Sequence, residues 1–195
     1  MVHKLDTGIK IVRNVLRYTI GEGAIRELSK IVDPKRLNKG SQVVYIVDEF
    51  FKEKNNILNS LGFHDNDELM FISTELEPTT EYIDELYLSL LERLVSSPAA
   101  IVGIGGGVSL DVAKAISNLL TNGGKAEDYQ GWDLVKKPGI FKVAIPTLSG
   151  TGAEATRTCV MTNKSSGLKL GMNSDFTVYD QILMDPNLTK SVPEN

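Results

Sequence analysis

The chain has 195 residues, of which 42% are hydrophobic and 24% charged, with a formal net charge of −4 at neutral pH. That composition excludes bulk disorder, and a chain of this size buries ~70% of the surface its unfolded form exposes. The acidic balance argues against a nucleic-acid binder, and no apolar run is long enough to span a bilayer. The opening MVHKLDTGIK alternates polar and apolar residues and makes no secretory signal. One cysteine, Cys159, excludes an internal disulfide and points to a reducing, cytoplasmic setting. Two histidines, His3 and His64, are a scarce stock of imidazole ligands.

In chain order, residues 9–12 form an edge-strand candidate. Residues 42–47 are a compact β-branched run closed by Asp48, which reads as a buried strand. A short helix is expected over 50–61, stopped by Gly62, and a second strand over 68–73. Pro78, Thr79 and Thr80 open a helix whose apolar positions Ile83, Leu86, Leu90 and Leu94 recur at helical spacing; Pro98 marks its end. Residues 99–104 are a third strand, followed by glycines and a helix through Val112, Ile116 and Leu119. Residues 141–145 are a fourth strand, stopped by Pro146. Short apolar strands alternating with helices predict an α/β fold, Rossmann-like and doubly wound around a mainly parallel sheet. After residue 156 the texture changes. Strands at 158–162, 168–172 and 182–184, joined by turns, add a β-hairpin region.

The seventeen glycines are unevenly spread, with dense clusters at 103–107 and 150–152. The first is Gly103-Ile104-Gly105-Gly106-Gly107, between a strand and a helix. Consecutive glycines let the backbone approach a bulky anion, and the helix aims its free N–H groups and positive dipole end at the same spot. A pyrophosphate suits that place, although a packing turn uses the same residues. The spacing is neither the Rossmann fingerprint nor a P-loop. Asp111 reads either as a site residue or as a partner of the helix dipole. Asp48, at a strand's carboxyl end, reads as an acceptor for both ribose hydroxyls of an adenosine or as a turn carboxylate.

The second cluster is Pro146-Thr147-Leu148-Ser149-Gly150-Thr151-Gly152, whose hydroxyls and amides suit a phosphate or a nicotinamide carboxamide. It is no hydrolase elbow, because Ser149 lacks a glycine two residues before it. Cys159 is expected to pack in its strand, His3 and His64 to be exposed, and Trp132 to serve packing. Lys164 and Lys169 flank a hairpin turn. They read as an anion site only if the glycine loops lie close.

With these residues assembled, the chain resembles the N-terminal half of the iron-containing (group III) alcohol dehydrogenases, a superfamily that also holds glycerol dehydrogenase and dehydroquinate synthase. The resemblance is carried by Gly105-Gly106-Gly107 with Asp111-Val112-Ala113-Lys114, by Ile145-Pro146-Thr147 with Gly150-Thr151-Gly152-Ala153-Glu154, and by Met184-Asp185-Pro186. It implies an NAD-binding domain, NAD being preferred to NADP because the Asp48 carboxylate repels a 2′-phosphate. The cofactor contacts it implies are Asp48, Gly105, Gly106, Gly107, Ser109, Asp111, Thr147, Leu148, Thr151, Lys169 and Leu183. Val108 stands where the family usually has serine, with Ser109 following. The family's metal ligands, an aspartate and three histidines, lie in a helical second domain that begins after a Ser-x-Pro matched here by Ser191 and Pro193. The 195 residues are therefore expected to be a dinucleotide-binding domain by itself. The ligands of its Fe2+ or Zn2+ then lie outside this chain.

The implied reaction is hydride transfer between a small-molecule alcohol and the nicotinamide. Residues 128–134, with 149–162, look like a branch acting on the sugar acid 3-deoxy-manno-octulosonate. Alternatives are a phospho-substrate member of the superfamily, such as glycerol-1-phosphate dehydrogenase or dehydroquinate synthase, and a non-catalytic nucleotide-binding module. A homo-oligomer is expected, with no nucleic-acid or membrane partner.

Overall fold

The computed structural model describes residues 13–37, 41–53, 57, 59–190 and 192. The strand expected at 9–12, and His3, lie outside the described residues. Six strands form one parallel sheet: β1 (Arg17–Ile20), β2 (Val43–Asp48), β3 (Glu68–Ile72), β4 (Ala100–Gly105), β6 (Lys142–Pro146) and β9 (Gln181–Met184), in the order β1-β9-β6-β4-β2-β3. A second sheet holds β5 (Gly131–Trp132), β7 (Thr158–Asn163) and β8 (Leu168–Asn173), with β7 and β8 an antiparallel hairpin. The helices are α1 (Leu28–Val32), α2 (Thr80–Arg93) and α3 (Gly107–Asn122).

The central strands read as unbroken apolar runs because both their faces are covered. In β2, Val44 and Ile46 join the core that α2 and α3 seal, while Val43, Tyr45 and Val47 join the core on the α1 side. The helix α2 starts where Thr79 accepts a hydrogen bond from the Tyr82 amide, and it stops at Arg93, ahead of Pro98. The buried helix α3 crosses the sheet closely at Gly103. A Cβ there would lie 2.6 Å from the Tyr179 hydroxyl and 2.9 Å from the Ala113 Cβ, so only glycine fits. That hydroxyl donates to the Leu110 carbonyl at 2.7 Å, tying the chain before β9 to α3.

Three expectations change. The described part of 50–61 lies mainly in 3-10 turns, at Glu49–Phe51 and Asn59–Leu61. The run at 182–184 is not part of the hairpin sheet. A 3-10 turn at Asp175–Thr177 returns the chain to the main sheet, where β9 runs parallel to both β1 and β6. Trp132 does not pack: it is 72% exposed, with the Arg157 guanidinium 5.9 Å from its ring centroid.

Candidate functional site

The chain leaves β2 toward β3 on one side of the sheet, and it leaves β4 toward β6 on the other. The carboxyl ends of these neighbouring strands thus flank the crevice where open α/β sheets take ligands. Asp48 ends β2 and Gly105 ends β4, and the close approach is visible at Gly105. With φ at +144° it has a backbone that favours glycine, and a Cβ would sit 2.5 Å from the Ser109 hydroxyl and 2.9 Å from the Asp48 Cβ.

From Gly105 the chain turns into α3, whose N-cap, Gly106, offers no side-chain cap. The first amides of α3 therefore lack an intrachain side-chain acceptor at that position, and an anion satisfies such donors. The second glycine cluster closes over this loop. The Thr147 amide donates to the Gly105 carbonyl at 3.0 Å, a Cβ on Gly106 would meet Leu148 at 2.8 Å, and one on Gly107 would meet Thr151 at 3.2 Å. Ser109 is fully buried beneath the loop, and its hydroxyl is without a hydrogen-bond partner. A bare helix N-terminus, a cradle that any Cβ would fill and an orphaned hydroxyl together fit a phosphate.

Cavities flank the loop. One of about 260 Å³ is lined by Asp48, Phe51, Thr74, Thr147, Leu148 and Leu188. The Asp48 carboxylate accepts from the Phe50 amide at 3.0 Å and the Thr74 hydroxyl at 3.2 Å. It is thus the turn carboxylate that one reading expected, and its oxygens keep free lone pairs for a ligand. On the α3 side a cavity of about 320 Å³ is lined by Gly107, Val108, Asp111, Thr151, Thr158 and Lys169, among others. Lys169 therefore does lie beside the glycine loop, as the anion reading required, and its ammonium pairs with Glu77. Lys164 stands apart, on the rim of a groove with Glu77 and Glu81.

Asp111 accepts from the Val160 amide at 3.0 Å and leaves its other oxygen unpartnered. It serves strand β7, and it lies beyond the first turn of α3. Burial pushes its carboxyl up to about 6, against the opposing pull of Lys114 and Lys169. Leu183 is not brought to the crevice. Its side chain is fully buried in the core on the α1 side, because alternation along β9 turns it away; the next residue, Met184, lines a cavity with Leu148 and Gly150. Cys159 is buried and packed, its thiol pushed up by burial, and His64 is exposed near Asp33. Among the described residues no group of three or more His, Cys, Asp or Glu is arranged to hold a metal ion. No described helix is long and apolar enough to cross a membrane.

Sequence reasoning passed over Lys114 as a site-shaping residue. It is fully buried on α3, and its ammonium donates to the Thr156 carbonyl (2.9 Å), the Thr156 hydroxyl (3.1 Å) and the Thr158 carbonyl (2.8 Å). A lysine one turn after Asp111 reads as a surface helix residue, and only the fold shows it buried.

Comparison with known proteins agrees with this architecture. The chain is 35% identical over 124 residues to a sulfoacetaldehyde reductase of Bilophila wadsworthia, covering 64% of this chain and 31% of that protein. It is 28% identical over 173 residues to alcohol dehydrogenase 4 of Saccharomyces cerevisiae, covering 89% of this chain and 44% of the relative. The chain thus spans less than half the length of these relatives. Among solved structures, an alcohol dehydrogenase from Oenococcus oeni superposes with a TM-score of 0.78 at 25% identity, over 95% of this chain and 48% of that one. A 1,3-propanediol oxidoreductase gives 0.80 at 22% identity over the same shares, a likeness of fold. Residues 16–186 match the family described as "Iron-containing alcohol dehydrogenase". The chain therefore belongs to the iron-containing alcohol dehydrogenase family.

Proposed function

We propose that this chain is the dinucleotide-binding domain of a metal-dependent alcohol dehydrogenase, with NAD as its cofactor. The observation that carries the reading is the uncapped N-terminus of α3 behind Gly105, Gly106 and Gly107, with Asp48 beside it. In this reading the pyrophosphate lies on the glycine loop above Ser109, and the adenosine ribose on Asp48. Thr147, Leu148 and Thr151 wall the nicotinamide side, and Lys169 faces it across the α3-side cavity. Bound NAD supplies the hydride acceptor of alcohol oxidation. The residues of this chain bind it, orient it and exclude water from beneath the loop. Leu183 acts only through the packing of β9.

The chain spans less than half of its curated relatives, so the activity of the whole protein is part of the proposal. Its substrate is a small alcohol or aldehyde. A substrate with an acidic group, such as a sugar acid, is the finer reading; the resemblance over 128–134 and 149–162 supports it, and a profile of acidic against neutral alcohols tests it. We read the single buried cysteine as a cytoplasmic trait and the outer edge of β1, unpaired among the described strands, with Leu16, Tyr18 and Ile20 exposed, as a surface for self-association.

Calorimetry of the 195-residue chain with NAD and with NADP tests the cofactor assignment. Binding of NAD is expected, together with no alcohol oxidation by this chain alone. In Asp48→Gly the NADP/NAD affinity ratio is expected to rise roughly tenfold, because a carboxylate beside a 2′-phosphate costs ~1 kcal/mol or more. An unchanged ratio would falsify the role given to Asp48.

A further inference from the structure

A fully buried ammonium is expensive to desolvate, and a leucine would fill the same space on α3. The use of Lys114 is visible in what it holds. Its acceptors are the Thr156 carbonyl and hydroxyl, between the second glycine cluster and β7, and the carbonyl of Thr158, the first residue of β7. One turn earlier, Asp111 takes the Val160 amide, inside β7. Two side chains of one helix therefore tie down the end of the irregular segment, at Thr156, and the start of β7, at Thr158 and Val160. That segment supplies Thr151, Ala153, Thr156 and Thr158 to one wall of the α3-side cavity, while Gly107, Val108 and Asp111 supply the other. The ammonium lies over the Tyr179 ring, 5.4 Å from its centroid.

The geometry points to Lys114 as a positioning residue for the dinucleotide: its buried ammonium holds the 151–158 segment at the spacing from the N-terminus of α3 that the ligand needs. It touches no ligand itself. Without it the Thr156 and Thr158 carbonyls lose their buried donor, and the segment relaxes toward solvent. The Asp48 cavity takes no lining residue from that strap, which meets the glycine loop at Gly107. The adenylate half of the ligand therefore feels the loss much less than the nicotinamide half. This inference rests on the dinucleotide reading above.

The test is titration of the 195-residue chain with NADH and with AMP, in the unchanged protein, in Lys114→Met and in Thr156→Val. Lys114→Met is expected to weaken NADH roughly tenfold, while AMP stays within about twofold. Thr156→Val removes one of the three acceptors, together with that hydroxyl's own bond to the Thr158 carbonyl at 3.2 Å; it is expected to weaken NADH about two- to threefold, with AMP unchanged. Equal losses of NADH and AMP in Lys114→Met show a merely structural role and overturn the inference, as does unchanged NADH affinity. If Lys114→Met does not fold, Thr156→Val decides, and an unchanged NADH/AMP ratio there overturns the inference. An unchanged protein that binds neither ligand overturns the dinucleotide reading and this one with it, a result separate from every variant outcome.

Discussion

At the scale of single residues, burial governs the chemistry more than residue type does. Asp111 lies near the glycine loop, and its carboxyl is pushed up to about 6, with desolvation as the main cause. An acid whose pKa is raised by folding stabilises the fold at low pH. That contribution is complete below about pH 4 and is lost as pH rises through about 6. Asp111→Asn stays neutral throughout, so its melting temperature relative to the unchanged chain is expected to rise between pH 5 and pH 7.5. The rise corresponds to on the order of 1 kcal/mol. A difference that stays constant over that range, measured by calorimetry at both pH values, contradicts the assignment. Most of the candidate site is legible in the sequence. Glycines after strands announce themselves, and the structure does gather Asp48, Thr147, Leu148, Thr151 and Lys169 around them. Leu183 and Lys114 were not legible, since the direction a side chain takes depends on register and burial.

At the scale of elements, the joints between strands carry information that periodicity lacks. Arg36 and Asp67 lie far apart in sequence and form a nearly dry pair, with nitrogen–oxygen distances of 2.7 Å on both prongs of the fork. Asp67 also accepts from the Val43 amide at 2.8 Å and the His64 amide at 3.0 Å, and Arg36 donates to the Ser41 carbonyl. Burial alone would raise the Asp67 carboxyl; the guanidinium and the two amides outweigh it and hold the carboxyl below its ordinary value. The pair staples the start of β2 to the loop before β3. In Arg36→Met a buried carboxylate keeps its amides but loses its counter-charge. The expected cost is about 3 kcal/mol, read as a fall in the urea midpoint. A change below about 0.5 kcal/mol, the level of an exposed pair, would contradict that role. Strands β2, β3, β4 and β6 were placed within a residue or so from their apolar runs. The position of β9 beside β1 was not, because the three apolar residues at 182–184 look alike in a hairpin and in a parallel sheet.

At the scale of the whole molecule, strand order decides where function can sit. The order β1-β9-β6-β4-β2-β3 puts the ends of β2 and β4 side by side, and with them Asp48 and the glycine loop. A ligand bridging the ends of β2, β4 and β6 stabilises the folded state as a unit. NADH at roughly a hundred times its dissociation constant is expected to add ~2.7 kcal/mol to unfolding, a melting shift of several degrees, with AMP at equal saturation adding a comparable amount. No shift at saturating NADH in a thermal melt would contradict binding to the folded chain. The sequence by itself determined the alternation of strand and helix, the two glycine loops and the carboxylate at a strand end. Each of those is a local requirement, set by periodicity or by a backbone that only glycine can adopt. The tertiary structure alone decided that β9 completes the parallel sheet, that Leu183 faces the core and that Lys114 is buried against the 151–158 segment. Those outcomes depend on which distant segments lie together, and along β9 a one-residue change of register would turn Leu183 to the other face of the sheet.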